Sequence, residues 1–300
     1  MKRLVCSPPA AQLILLPGAQ DHSSYGRSLR WLGVGMVVCG LIELLCAGTG
    51  LRPLLGPAGL RKSIVFFIST GLTVWSLGCL RAVRVRCTWD AWLDGMLGAA
   101  LSVEVILISL QSWLGRPSHF NHATMGDAMI ERTMLACIVA ASLVILCDTI
   151  RCLRPMALDR PMALAYRAGM LFLCASCGLG FIISAVGWSR LAAGASPETF
   201  GKAGVLKFPH GAAIHALQML PLVAWVASFS RRRYATGLVV AAIVGQFLWL
   251  FYAVRQTVLG LARFDMDAGE AWLLGALALS IMGALGLAVY SREERASVSD

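Results

Sequence analysis

The sequence predicts an all-α integral membrane bundle of about eight helices, and three observations predict it. The 300 residues are 58% hydrophobic and 14% charged, with mean hydropathy +0.72, whereas soluble domains are about 45–50% apolar and about 25% charged. The apolar residues fall in blocks of roughly 20, the length a helix needs to cross about 30 Å of hydrocarbon. The ten-residue alternation of a membrane barrel is absent, and the other way to satisfy every backbone polar group in lipid is the helix.

Residues 1–30 read as a cytoplasmic N-terminal tail. The apolar stretch in MKRLVCSPPAAQLILLPGA is short, flanked by prolines and lacks a small-residue cleavage site. The first span is 31–50, with Cys39, Glu43 and Cys46 on one face. LRPLLGPAGLRK breaks the chain before the second span, 63–80. The third, 93–114, carries Glu104 and Gln111 on one stripe, about 10 Å apart along the axis. That stripe rises toward His119 in GRPSHFNHATMGD. The fourth span is 131–150, but its helix should begin earlier, because Thr124 and Asp127 have capping-box spacing and Asp127 shares a face with Glu131. Ser118 and Asn121 are turn formers.

RCLRPMALDRPM leads to the fifth span, 166–188, where Cys174 and Cys177 read as small packing residues. The sixth, 210–229, opens in KFPHGAAIHALQMLP, and Pro209 suits a first helical turn. On a regular helix His215 lies about 7.5 Å deeper than His210 and roughly 140° around the axis. The two therefore need partners from other helices, while His215 and Gln218 share a face. SFSRRRYATG precedes the seventh span, 235–257. The eighth, 270–290, has a small-residue ladder at Ala276, Ser280, Ala284 and Ala288. Residues 291–300 read as a cytoplasmic C-terminal tail. The whole of 31–290 reads as one membrane domain. A short match between QSWLGRPSHF and QTVLGLARF sets Gln111 and Gln256 145 residues apart; it suggests a diverged 4+4 parallel repeat.

Lysine and arginine favour the cytoplasmic side. With eight spans, sixteen of them fall on the side of the termini and ten on the other. Both termini are therefore expected in the cytoplasm of a bacterial inner membrane. The formal charge of +10 fits that bias and does not indicate nucleic acid, because the basic residues are dispersed among loops. The ten cysteines read as small apolar residues, since the predicted outer loops contain none.

Four of the five histidines fall at or near the predicted outer surface. His119, His210 and His215 are the candidate ligands or proton carriers, supported by Glu104, Gln111, Asn121, Asp127 and Gln218; His122 and Asp127 join them as metal candidates. Three chemistries suit such a set: a haem held by axial histidines, a divalent metal on imidazoles and a carboxylate, or a histidine–carboxylate relay beside a quinone or other lipid-soluble molecule. Two further readings stay open. One is a small-solute or proton-coupled transporter, for which Glu104 at mid-depth argues and broken helices would be the discriminating feature. The other is a non-catalytic scaffold in which the polar groups orient helices. No nucleotide-binding loop, zinc-protease helix or serine-hydrolase elbow is present, and whether the chain is an enzyme is left open.

At SHFNHATMGD and PHGAAIHALQMLPL the sequence resembles a family of uncharacterised bacterial multi-pass membrane proteins. Its members carry S-H-F-N followed by a Thr and an Asp, then a His, four residues and H-A-L-Q-x-L-P. Here these are Ser118–Asn121, Thr124, Asp127, His210, His215–Gln218, Leu220 and Pro221. The family has a longer glycine-rich loop before the second motif, where this chain has AGASPETFGKAG. The resemblance implies a membrane bundle and this residue set, and implies no chemistry.

Overall fold

The computed structural model describes residues 26–55, 59–85, 87–229 and 232–269, and a few positions beyond. The chain divides into two compact units. One holds the described residues up to 155 with 187–197; the other holds 156–186 and the described residues from 198 onward. Among the described residues, seven helical segments are long and apolar enough to cross a membrane. The expected eighth span, 270–290, and most of the N-terminal tail lie outside the described residues.

The first unit is built on α1 (Arg27–Gly48), α2 (Arg61–Val83), α3 (Asp90–Trp113) and α4 (Met125–Cys152). α1 and α2 pack antiparallel with almost nothing between their backbones. Gly26, Gly33 and Gly40 recur at intervals of seven on α1 and meet Gly78, Gly71 and Ile68 on α2. A Cβ on Gly33 would lie 2.5 Å from the Gly71 carbonyl oxygen, and one on Gly71 would lie 2.7 Å from that of Gly33. Small residues permit such approach, and in lipid close packing is a main source of helix association.

α5 (Arg160–Ala192) is 33 residues long, about 50 Å, and its last turn belongs with the first unit. In the second unit it is followed by a hairpin of β1 (Thr199–Phe200) and β2 (Gly204–Val205), then α6 (Lys207–Ile214), α7 (Ala216–Ala227) and α8 (Arg232–Val258). The expected regular sixth helix is thus two helices. They break at His215, whose φ of −88° and ψ of 1° are not helical. Pro221 lies inside α7. It has no N–H and its ring crowds the carbonyl four residues back, and the turn before it tightens so that Gln218 N–H bonds the His215 carbonyl at 3.1 Å.

α3 and α8 end alike. At α3, Gly115 has φ 70°, its N–H bonds the Ser112 carbonyl (3.1 Å), and Arg116 N–H bonds the Gln111 carbonyl (2.9 Å). At α8, Gly260 has φ 69°, its N–H bonds the Thr257 carbonyl (3.1 Å), and Leu261 N–H bonds the Gln256 carbonyl (2.9 Å). Both are Schellman closures, where the left-handed turn suits glycine. An earlier connection docks on each: Arg52, between α1 and α2, donates to the Trp113 carbonyl, and Ala203 N–H, in the hairpin before α6, donates to the Gly260 carbonyl at 2.9 Å.

Candidate functional site

Six of the residues predicted from sequence fall in the first unit. The expected capping box opens α4: Thr124 is extended (φ −132°, ψ 162°), and its hydroxyl accepts from Asp127 N–H at 3.1 Å. The same hydroxyl donates to Asp127 Oδ2 at 2.7 Å, while Gln111 Nε2 donates to Asp127 Oδ1 at 3.0 Å. Asp127 is buried and Arg116 stands 3.6 Å from it. Its carboxylate is committed to tying the end of α3 to the start of α4.

The S-H-F-N turn is held by Glu131. Its two oxygens accept from Phe120 N–H (2.9 Å) and Asn121 N–H (3.1 Å), and His122 Nε2 lies 3.2 Å away. Phe120 takes φ 55°, a left-handed conformation rare outside glycine; the carboxylate clamp and the ring's edge contact with Trp188 keep it there. Asn121 closes the turn on itself, donating to the Pro117 carbonyl and accepting from Ala123 N–H. Asn121 and His122 therefore serve the turn.

His119 faces a different set. Its Nδ1 lies 3.3 Å from Lys62 Nζ and 3.1 Å from Ser118 Oγ. An ammonium only donates, so Nδ1 is the acceptor and the ring proton sits on Nε2. That tautomer suits a neutral hydrogen-bonding imidazole more than a metal ligand beside a cation. Below it Glu104, buried within α3, makes no hydrogen bond among the described residues, and the charge that acts on it is that of Lys62. Glu104, Lys62 and His119 thus form an electrostatic series within one unit. Glu43, also buried, accepts from Ser109 and from Trp113 Nε1.

In the second unit His210, His215 and Gln218 lie along the broken span. Ser176 and Gly180, one turn apart on α5, make a slot for the His210 ring. His210 Nδ1 lies 2.8 Å from the Ser176 carbonyl oxygen. A carbonyl only accepts, so Nδ1 carries the proton and the neutral ring presents its lone pair at Nε2. Ser176 Oγ also donates to the His210 carbonyl (3.1 Å), and Gln246 of α8 donates to the Ala212 carbonyl. Carbonyls near the break thus accept from side chains of both flanking helices, which suits a lipid surrounding. Gly169 lets α5 approach closely here; a Cβ on it would lie 2.8 Å from Leu217 Cα.

The densest polar assembly gathers arginines that sequence reading placed in loops and aspartates that it did not single out. Arg81, Arg84 and Arg151 interlock with Asp90, Asp94 and Asp148 at one end of the first unit. Arg81 pairs with Asp94, and with Asp148 at 2.5 Å; Arg84 pairs with Asp90, and with Asp148 at 3.0 Å; Arg151 pairs with Asp90. Asp90 Oδ2 also accepts from Cys87 N–H at 2.8 Å. Arg81, Arg84, Asp90 and Asp148 are all buried. These arginines, expected in loops, each lie on or beside a helix and face a carboxylate. The signal was present in charges three and four apart at the edges of apolar blocks: Asp148 and Arg151 are opposite, while Asp90 and Asp94 repel each other unless cations are supplied from elsewhere.

Among the described residues, no group of three or more His, Cys, Asp or Glu side chains is arranged to hold a metal ion. No family model, no curated protein and no solved structure matches the chain.

Proposed function

We propose that this is a proton-coupled transporter of a small solute, whose working element is the broken span α6–α7. The observation that carries the reading is the break at His215, with nearby backbone carbonyls bracketed by Ser176 and Gln246. Interrupted membrane helices present backbone polar groups at the depth where secondary transporters bind solutes and ions. His210, with its proton on Nδ1 and its lone pair at Nε2, suits a proton acceptor. Glu104, Lys62 and His119 supply titratable groups for coupling, and an intramembrane carboxyl without a hydrogen-bond partner is expensive unless used.

We also infer that the chain is a 4+4 parallel repeat whose eighth helix is the apolar block at 270–290. The support is the matching closure of α3 and α8 at Gln111 and Gln256, both fully buried, each with an earlier connection docked on it. A bacterial inner-membrane location with both termini cytoplasmic is supported by the basic residues. Three of the sixteen on that side, Arg81, Arg84 and Arg151, are spent in the ionic assembly, which leaves thirteen against ten.

The test is solute-dependent proton influx, read by a trapped pH dye in vesicles bearing the purified protein. The panel covers amino acids, carboxylates, amines and sugars. One class should drive influx, and His210→Ala and Glu104→Gln should each abolish it while the protein stays folded. No influx with any class counts against transport.

One observation favours a second reading. Nδ1–H on a carbonyl with Nε2 free of the proton is how metal-ligating histidines are commonly fixed. On this reading His210 would be one ligand of a haem or divalent metal, serving redox chemistry with a quinone or similar lipid-soluble partner. A Soret band or stoichiometric metal, lost in His210→Ala, would select it.

A further inference from the structure

Two half-buried cysteines from different parts of the first unit line one groove. Cys147 lies on α4, one turn before Arg151, and residues four apart on a helix set their Cβ atoms about 5–6 Å from each other. Cys87 lies in the connection between α2 and α3, where its N–H bonds Asp90 Oδ2 at 2.8 Å. Asp90 in turn pairs with Arg151, so one guanidinium neighbours both cysteines. With Leu143, Leu146 and Arg151 the two cysteines line a space of about 530 Å³, which leaves room for a bridging atom.

The lining is selective. Among the described residues that form it there is no carboxylate and no histidine, so sulfur is the metal donor it offers. Hard ions such as magnesium and calcium need a shell of oxygens, which leucine walls withhold. A soft ion such as copper(I) prefers thiolates and is satisfied by two of them in a line. It needs no larger group of ligands, and none is arranged among the described residues. Metals bind sulfur as the thiolate, and Arg151 stands within electrostatic range of Cys87.

We propose that Cys87 and Cys147 bind one soft monovalent metal ion of the copper(I) type, which ties the α2–α3 connection to α4. Two S–H protons pass to solvent as the two sulfur–metal bonds form. Two thiolates and one monovalent cation sum to a single negative charge, which the Arg151 guanidinium offsets. The site is separate from the broken span and does not depend on transport.

The test uses the full-length protein with all its cysteines, kept in ascorbate without air, with free copper(I) set by a chromogenic chelator. Alkylation by a small maleimide is read cysteine by cysteine through peptide mass spectrometry. Cys87 and Cys147 should become protected together, at the same copper(I) activity, and magnesium and calcium should protect neither. Cys87→Ser should remove the protection of Cys147, and Cys147→Ser that of Cys87, with thermal unfolding unchanged; alanine at either position repeats the test if serine lowers the melt. Protection of one cysteine that survives loss of the other overturns the proposal, as does an unprotected pair in the parent protein. Protection that strengthens with protein concentration also overturns it, because the ion would then join two copies of the chain.

Discussion

Replacing Asp90 by alanine tests the ionic assembly most sharply. Asp90 is 1% exposed and faces three guanidinium groups: Arg84 and Arg151 in contact, and Arg81 at 3.7 Å. Its removal leaves three buried cations facing two carboxylates. Breaking a buried ion pair by deleting one partner costs about 3–5 kcal/mol, which is roughly 10²- to 10⁴-fold in an opening equilibrium. Cys152 and Cys79, 0% and 3% exposed, lie on the helices the assembly joins, so their modification by a membrane-permeant maleimide reports that opening. Asp90→Ala should accelerate it by at least two orders of magnitude. The double variant Asp90→Leu with Arg84→Leu restores charge balance and should be far less affected, since apolar replacement of a buried pair is often neutral. Labelling of Asp90→Ala within threefold of the parent, or a double variant worse than the two singles combined, would refute the view that these charges are held by one another.

Glu131→Ala should cost about 1–3 kcal/mol, because it leaves the amides of Phe120 and Asn121 without an acceptor; hydrogen exchange at those two amides should rise. Gly33→Val places side-chain atoms where the Gly71 carbonyl stands and should lower thermal stability by more than the 1–3 kcal/mol typical of overpacking. Gly35→Ala, with nothing within 4 Å of its Cβ, should be silent in the same melt. Gln246→Leu strands the Ala212 carbonyl and should destabilise by about 1–3 kcal/mol, measured by denaturant titration in micelles.

The spans were legible because blocks of apolar residues have few alternatives in lipid, and the capping box at Thr124 was legible because its chemistry is local. The ionic assembly was not. Hydropathy trims a span where charges gather, so the second span was cut to 80, the third began at 93 and the fourth stopped at 150. The helices run on to Val83, start at Asp90 and continue to Cys152, and the trimmed turns hold Arg81, Asp90 and Arg151, each of which pairs. The break at His215 was hidden for another reason. Placing His210 and His215 by 3.6-residue arithmetic assumes a continuous helix, while the strain near Pro221 is relieved several residues upstream. The heptad spacing of Gly26, Gly33 and Gly40 was readable, but its meaning depends on the matching glycines of α2, which the chain reaches only after a loop.

Because α1 and α2 touch backbone to backbone at Gly33 and Gly71, little side-chain bulk lies between them there to re-rotamerise or slide. The pair must travel as one stiff strut through any conformational cycle. Any bending within this unit then falls outside the pair, and a cross-link placed along the strut should leave the thermal melt of the protein unchanged or raise it.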